Sequence, residues 1–456
     1  MRQHLYVISD LHLGGDPAED GTAGFQICPP ATQKILAIFI DGLPAATKET
    51  NTRLVIAGDI VDFLAEEPFA DFTEDETAAL AKFHNIVKNT KPVWESLRRF
   101  VGEKRGALTL MLGNHDIELS LPSLREALHT ELGEGRVEFI YDNEAFTVGP
   151  VLIEHGNRFD AWNAVPHGAL RRVRSQLSRR LPVSPKFPTL PGSRLVVEVM
   201  NGLKKDFHFI DLLKPEKAGA LPVAAALGAG GVRDVWKFFV NFSQTWFSDY
   251  DETTGEPKNQ ERIAAGGSPM RISAKDQEFY NLAQELLPGG ERISIVGELS
   301  DKARREALFK AMRKMADTHR EAYAIDHEDE EYLKPIQHAA SKGWQVVVYG
   351  HTHLAKRKKE GNALYLNTGT WADLMRMPDE VWQDDANKAR EALYAFVDDL
   401  FANRLDAWRR SLPTYAHIEL DDNLAVKHAD VYFASDDEAI TSEGIWQRLK
   451  GEVTSG

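Results

Sequence analysis

Five short polar blocks, each at the end of an apolar run, hold the residues of this chain whose types and spacing could do chemistry. They are Asp10-Leu11-His12, Gly58-Asp59 with Asp62, Gly113-Asn114-His115-Asp116, His155-Gly156, and Gly350-His351-Thr352-His353. Carboxylate and amide oxygens mixed with imidazoles suit divalent ions such as Mn, Fe or Zn. Two such ions held close together are the usual equipment for displacement at phosphorus.

The elements that must position these blocks read as an α/β core. Leu5 to Ile8, Arg53 to Ala57 and Ala107 to Leu112 have the character of buried strands. Helical patterns lie between them, around Thr32 to Ile40 and over about Thr73 to Val101, where Pro92 marks a kink or break. Strands alternating with helices imply parallel pairing. Each polar block starts where a strand stops, and in open α/β sheets the carboxyl ends of strands gather ligands. Taken singly, each block reads as well as a turn, because Asp and Asn favour turns. Five in succession are poorly explained that way. Gly58, Gly113 and Gly350 are expected to let the backbone turn sharply beside the ions.

After His155 the alternation lapses. Prolines 166, 182, 185, 188 and 191 punctuate a loop-rich stretch, and from about Leu195 to Ser341 the signal is mostly helical, with a Gly/Ala-rich interval at 218–231. The core resumes at Gln345 to Tyr349, continues through Ala363 to Leu366, and closes with strands near His417 to Leu420 and Val426 to Val431. The chain therefore divides into a first core part at 1–159, a mainly helical insertion or cap at 160–341, and a second core part at 342–456 with a helical excursion near 380–412.

The bulk numbers set outer limits. The 456 residues, 43% hydrophobic and 27% charged, are ordinary for a globular protein. No apolar stretch is long enough to span a bilayer, and the first residues lack the pattern of a signal peptide. One cysteine, Cys28, fits a reducing compartment, so a cytoplasmic location is expected. The formal net charge of -15 argues against binding extended nucleic acid, which needs basic surface.

The ordered blocks resemble the motifs of the calcineurin-like metallophosphoesterase superfamily: Asp-x-His, Gly-Asp-x-x-Asp, Gly-Asn-His-Asp, a lone His-Gly, and Gly-His-x-His. The resemblance covers the chain before Asp160 and after Gln345. It implies a β-sandwich flanked by helices and a metal-dependent phosphoric ester hydrolase. It further implies that Asp10, His12, Asp59 and His353 bind one ion while Asp59, Asn114, His155 and His351 bind the other. The expected cofactor is a pair of divalent ions, Mn2+ first, with Fe or Zn as alternatives. A hydroxide bridging them would attack a phosphomonoester, phosphodiester or pyrophosphate. His115 stands where a general acid would protonate the leaving oxygen, with Asp62 orienting it. Asp62 could instead simply cap the next helix. Asp116 reads as structural. Asn367 to Thr370 resembles the family's closing turn.

Two departures narrow the reading. Many phosphoprotein phosphatases of the family carry Arg where this chain has Phe63, which weakens a protein substrate. The block after His155 is long and polar. Arg158 within it would clamp a substrate phosphate or pair with Asp160.

The segment Leu170 to Leu181 places Leu170, Val173, Leu177 and Leu181 on one helical stripe and arginines elsewhere. Such a helix is a candidate for peripheral contact with an anionic membrane, or it is a solvated helix docked by its leucines. Aromatic density at Phe238, Phe239, Phe242, Trp246 and Phe247 follows in the insertion. Core plus cap resembles the UDP-2,3-diacylglucosamine pyrophosphatase branch, although His115 stands where that branch commonly has arginine. The substrate of that branch is not carried over; the expected substrate is a small or lipid-linked phosphoester or pyrophosphate. The alternatives are a nuclease or cyclic-nucleotide phosphodiesterase on the same site, and a non-catalytic binding module.

Overall fold

Strand-length apolar runs and amphipathic stretches alternate through the first third of the chain, and the fold follows that alternation. The computed structural model describes residues 1–15, 25–160, 162–204 and 322–451 except 403, together with 212, 305–306, 309–310 and 313. The protein is a mixed α/β structure. Strands β1 (Arg2–Ile8), β2 (Thr50–Ala57), β3 (Ala107–Met111) and β4 (Arg136–Ile140) run parallel in one sheet. A second sheet starts with β5 (Phe146–Val148), β6 (Val151–Ile153), β7 (Val346–Tyr349), β8 (Lys356–Glu360) and β9 (Ala363–Asn367). Its order is β5-β6-β7-β9-β8, with β6, β7 and β9 parallel. The short strands β10 (Leu374–Met375) and β11 (Arg409–Arg410) pair with each other. Finally β12 (Thr414–Leu420) and β13 (Val426–Phe433) add antiparallel to β1, so the first sheet reads β13-β12-β1-β2-β3-β4.

Successive side chains of a strand point to opposite faces, and both faces of the central strands are apolar. Leu5, Val7, Val55 and Ala57 meet Val151, Ile153, Val346, Val348 and Leu366 of the other sheet, which makes a shared layer between the two. Leu54, Ile56, Leu108 and Leu110 pack on the opposite side against helices α1 (Pro30–Gly42), α2 (Glu76–Asn89), α3 (Lys91–Gly102) and α4 (Pro122–Leu132). On the outer face of the second sheet, Val347, Tyr349 and Tyr365 pack against Tyr332 and Ile336 of the helix Glu330–Ser341.

Several boundaries differ from the sequence expectation, each for a local reason. The pattern at 73–101 is two helices, with Pro92 in the first turn of α3, where its missing N–H costs no hydrogen bond. The excursion expected near 380–412 is a short 3-10 helix at Asp379–Trp382 and an α-helix over Ala386–Phe401, and Arg409–Arg410 is a strand. Asp385 starts that helix by accepting from the Asn387 and Lys388 amides. Strands β4 and β8 were not foreseen because their charged, half-exposed sequences lack a buried strand's apolar run.

The basic helix α5 (His167–Leu177) is docked by its stripe. Leu170 and Val173 are fully buried in the main core, and the Arg174 guanidinium donates to the Tyr141 carbonyl at 3.0 Å. The stripe ends sooner than expected, since Leu181 lies beyond the helix and is 51% exposed. The Gly/Ala-rich interval and the aromatics at 238–247 lie outside the described residues. Among the described residues no helix is long and apolar enough to cross a membrane.

Candidate metal centre

The strands β1, β2, β3, β6 and β7 all end on the same rim, and each hands over directly to one of the five polar blocks. Backbone hydrogen bonds tie the resulting loops together. The Asp10 amide donates to the Gly58 carbonyl at 3.2 Å, His12 to Asp59 at 3.0 Å, and Gly350 to His155 at 2.9 Å. Asp10, His12, Asp59, His351 and His353 all have positive φ, between 44° and 68°. Side chains rarely tolerate that left-handed region, and such strain concentrates at functional sites.

Two trios of candidate ligands result, beside a third grouping of His12 with Asp62 and His115. In the first, His12 Nε2 lies 3.0 Å from His353 Nε2, and Asp10 Oδ1 lies 3.4 Å from His353 Nε2. In the second, His155 and His351 sit with Asp59, whose Oδ2 is 3.2 Å from His155 Nε2. That same Oδ2 is 3.8 Å from His12 Nε2, so Asp59 stands between the trios. Asn114 is buried beside them, flanked by Gly113 and by His115, whose amide donates to Asp59 Oδ1 at 2.8 Å. All seven candidate ligands, Asp10, His12, Asp59, Asn114, His155, His351 and His353, are therefore brought to one place.

The surroundings hold these groups in ligand-like poses. His155 directs Nδ1 at the Ala57 carbonyl, 2.7 Å away, which leaves Nε2 facing Asp59. Asp10 Oδ2 accepts from the His351 amide at 2.9 Å and from the Ser9 hydroxyl. Burial works against charge on Asp10, but the imidazoles of His353 and His155 outweigh it and hold the carboxyl at about 2. Burial likewise opposes ionisation of Asp59, and the surrounding histidines carry it well below the usual carboxylate range. His155 is the converse case: burial disfavours its cation, yet Asp59 lifts it to about 9.

A pair of divalent cations fits this donor set. Asn114 Oδ1 is buried with no hydrogen-bond partner, and Asp10 Oδ1 accepts no well-formed hydrogen bond. A buried polar atom left in that state is costly unless something else satisfies it. The side chains Asp10, His12 and His353, and separately Asp59, His155 and His351, converge within the reach of a single ion each. Two of the motif glycines are explained by space rather than by turning. A Cβ on Gly113 would lie 2.0 Å from Asp59 Oδ1, and one on Gly350 would lie 2.6 Å from Asp10 Oδ2. Neither has positive φ, in contrast to Gly58 at 92°.

His115 lies at the rim with its Nδ1 3.2 Å from Asp62 Oδ1. The same Oδ1 also accepts from the Leu64 amide at 3.0 Å at the start of a short helical turn, so Asp62 caps that turn as well as facing the His115 ring. Asp116 is fully buried and structural: its carboxylate accepts from the Ile60 and Gly113 amides at 2.7 and 2.8 Å. Burial pushes its carboxyl up to about 8.

Arg158 does not pair with Asp160. Its Nε lies 2.8 Å from Glu154 Oε2 and its Nη2 donates to Glu154 Oε1 at 3.0 Å, one helical turn back along the chain. Asp160 turns the other way, with Oδ2 3.1 Å from His351 Nε2 and accepting from Asn163 at 2.7 Å. Sequence reasoning missed Asp160 as a partner of His351, as it missed Ser9 and Thr368 behind Asp10. The signal for Ser9 was its position beside Asp10. Thr368 was visible only as part of the turn Asn367 to Thr370 that follows β9, not as a partner of Ser9.

No family model matches the chain, and no curated protein matches it. Among solved structures, it is similar to a putative 5'-nucleotidase from Staphylococcus aureus in complex with alpha-ketoglutarate. That match has 12% identity and a TM-score of 0.30, covering 99% of this chain and 58% of the other. It is also similar to a phosphopantetheinyl hydrolase from Mycobacterium tuberculosis, at 13% identity and a TM-score of 0.25, covering 81% of this chain and 90% of the other. The chain thus spans well under two thirds of the first of these proteins, and the superpositions are too loose to bear on fold or activity.

Proposed function

We propose that the chain is a hydrolase of phosphoric esters that works with two divalent metal ions. The observation that supports this reading is the place of Asp59 Oδ2, between a trio with His12 and a trio with His155. One carboxylate serving two donor sets is what a two-ion site needs, since it screens the repulsion between cations about 3.5–4 Å apart. Asp10, His12, Asp59 and His353 would hold one ion; Asp59, Asn114, His155 and His351 would hold the other. When bound, such ions supply Lewis acidity at phosphorus and make water a stronger nucleophile at neutral pH. Mn2+, Fe or Zn suits the mixture of oxygen and imidazole donors.

The remaining steps belong to the protein. His115 is positioned to give a proton to the departing oxygen, with Asp62 on Nδ1 keeping the proton-transfer role on Nε2. Asp160 fixes His351 from behind, and Ala57 fixes His155. Arg158 is committed to Glu154 and is not assigned a phosphate.

The test is a metal-free preparation assayed on an aryl phosphodiester, an aryl phosphomonoester and a pyrophosphate, before and after adding Mn2+. Hydrolysis of at least one, strictly dependent on the ion and removed by chelator, is the expected result. A chain that takes up two equivalents of metal yet cleaves no phosphoester would leave only a binding module.

A further inference from the structure

A second group of metal-type side chains stands on the face of the first sheet, away from the strand ends. It is created by strand pairing. Strands β1 and β12 are antiparallel, with His4 opposite Glu419 and Tyr6 opposite His417. Their alternates Leu5, Val7, Ala416 and Ile418 are fully buried in the layer between the sheets. Period-two alternation therefore puts His4, Tyr6, His417 and Glu419 together on the other face.

His4 Nδ1 lies 3.2 Å from His417 Nε2. Glu419 Oε1 is nearly equidistant from both, at 3.8 and 3.7 Å. A hydrogen bond between the two imidazoles accounts for the first distance but not for a carboxylate oxygen placed symmetrically between the same two nitrogens. A shared cation accounts for both. With metal–nitrogen bonds of about 2.0–2.1 Å at a tetrahedral angle, two ligating nitrogens stand about 3.3 Å apart. The two rings stack with their planes 20° apart and their centroids separated by 5.4 Å. Glu419 needs to close in by about 0.4 Å to meet the same geometry, and its side chain is 40% exposed and has room to do so.

We propose that His4 Nδ1, His417 Nε2 and Glu419 Oε1 form a separate site for a divalent ion of the zinc class. Two imidazoles and one carboxylate make three protein ligands, which leaves the fourth place to water. The orientation of His417 is fixed in advance by Tyr6, whose ring stacks on it at 4.5 Å and 6°. His428 borders the group at 5.9 Å from His417 and is turned to the Tyr432 hydroxyl, 2.5 Å away. The site is distinct from the strand-end centre, because the six residues from His4 to Asp10 span roughly 20 Å of extended chain.

The test measures bound metal and is independent of any activity. The metal-free full chain is dialysed against Zn2+ and analysed. Wild type is expected to retain about one equivalent more than a double variant carrying His4→Ala and His417→Ala. Equal metal content in the two folded proteins overturns the proposal. Glu419→Gln keeps the shape and removes the charge, and it covers the case in which the double variant fails to fold. Its Zn2+ affinity at the extra equivalent is expected to fall about tenfold or more. An unchanged affinity there overturns the proposal equally.

Discussion

Among the described residues two regions gather histidines with carboxylates, and they are built in opposite ways. The strand-end centre is made of loops. Its residues sit where parallel strands stop, five of them at positive φ, braced by amide and carbonyl groups of their neighbours. The sheet-face cluster is made of regular strand. Its residues have ordinary extended backbone and are set by register alone, with His4 and His417 separated by 413 positions. The first arrangement fixes each donor separately, which is the manner of a preorganised site. The second needs only that two strands pair in register, which suits binding more than chemistry.

The largest expected effect falls on the shared carboxylate. Asp59→Asn keeps the hydrogen bond to the His115 amide within reach but removes the charge between the trios, and phosphodiester hydrolysis should fall by at least about a hundredfold with loss of bound metal. Metal analysis beside initial rates would show it. If the variant keeps both metal and rate, the strand-end centre is no more functional than the sheet face.

A smaller loss is expected from His115→Ala. Turnover on an alkyl ester should drop about 10²- to 10⁴-fold while metal content stays at the wild-type level. With an aryl ester, whose leaving group needs no proton, the drop should shrink markedly. An equal drop on both substrates would assign His115 to positioning instead of proton transfer.

The smallest effect concerns stability at the sheet face. His417 is buried near neutral, and its folded pKa of about 4 lies below the ordinary 6.5. Burial sets that direction. Glu419 and Asp437 pull the other way, whereas His4 and His428 reinforce it. The unfolded chain therefore binds this proton first, so metal-free protein should lose stability as pH falls from about 6.5 to about 4. Urea melts across that window should show a shallower slope in His417→Gln. An identical slope would mean that His417 is solvated in the folded state.

The same contrast explains what could be read from the sequence. The strand-end residues were legible because each block is contiguous and follows an apolar run, so Asp10, Asp59, Asn114, His155 and His351 announce themselves in one dimension. The central strands were legible for the same reason. The sheet-face cluster was not, because β12 returns beside β1 from the far end of the chain and no local pattern encodes which residues it will face. Strand β8 escaped notice because Lys356 to Glu360 carries almost no apolar signal; it is an edge, where charge guards against unwanted pairing. Asp160 was read only as a partner for Arg158, since sequence proximity hid its approach to His351 across 191 positions.

The left-handed backbone at Asp10, His12, Asp59, His351 and His353 has a practical consequence for anyone altering these loops. Every replacement there is judged twice, once by what the new side chain can donate and once by whether the main chain still accepts its bend. Asparagine is among the few residues at ease in that conformation. Exchanging aspartate for asparagine at 10 or 59 therefore interrogates chemistry alone, whereas valine or isoleucine at either place would report mostly on a distorted loop.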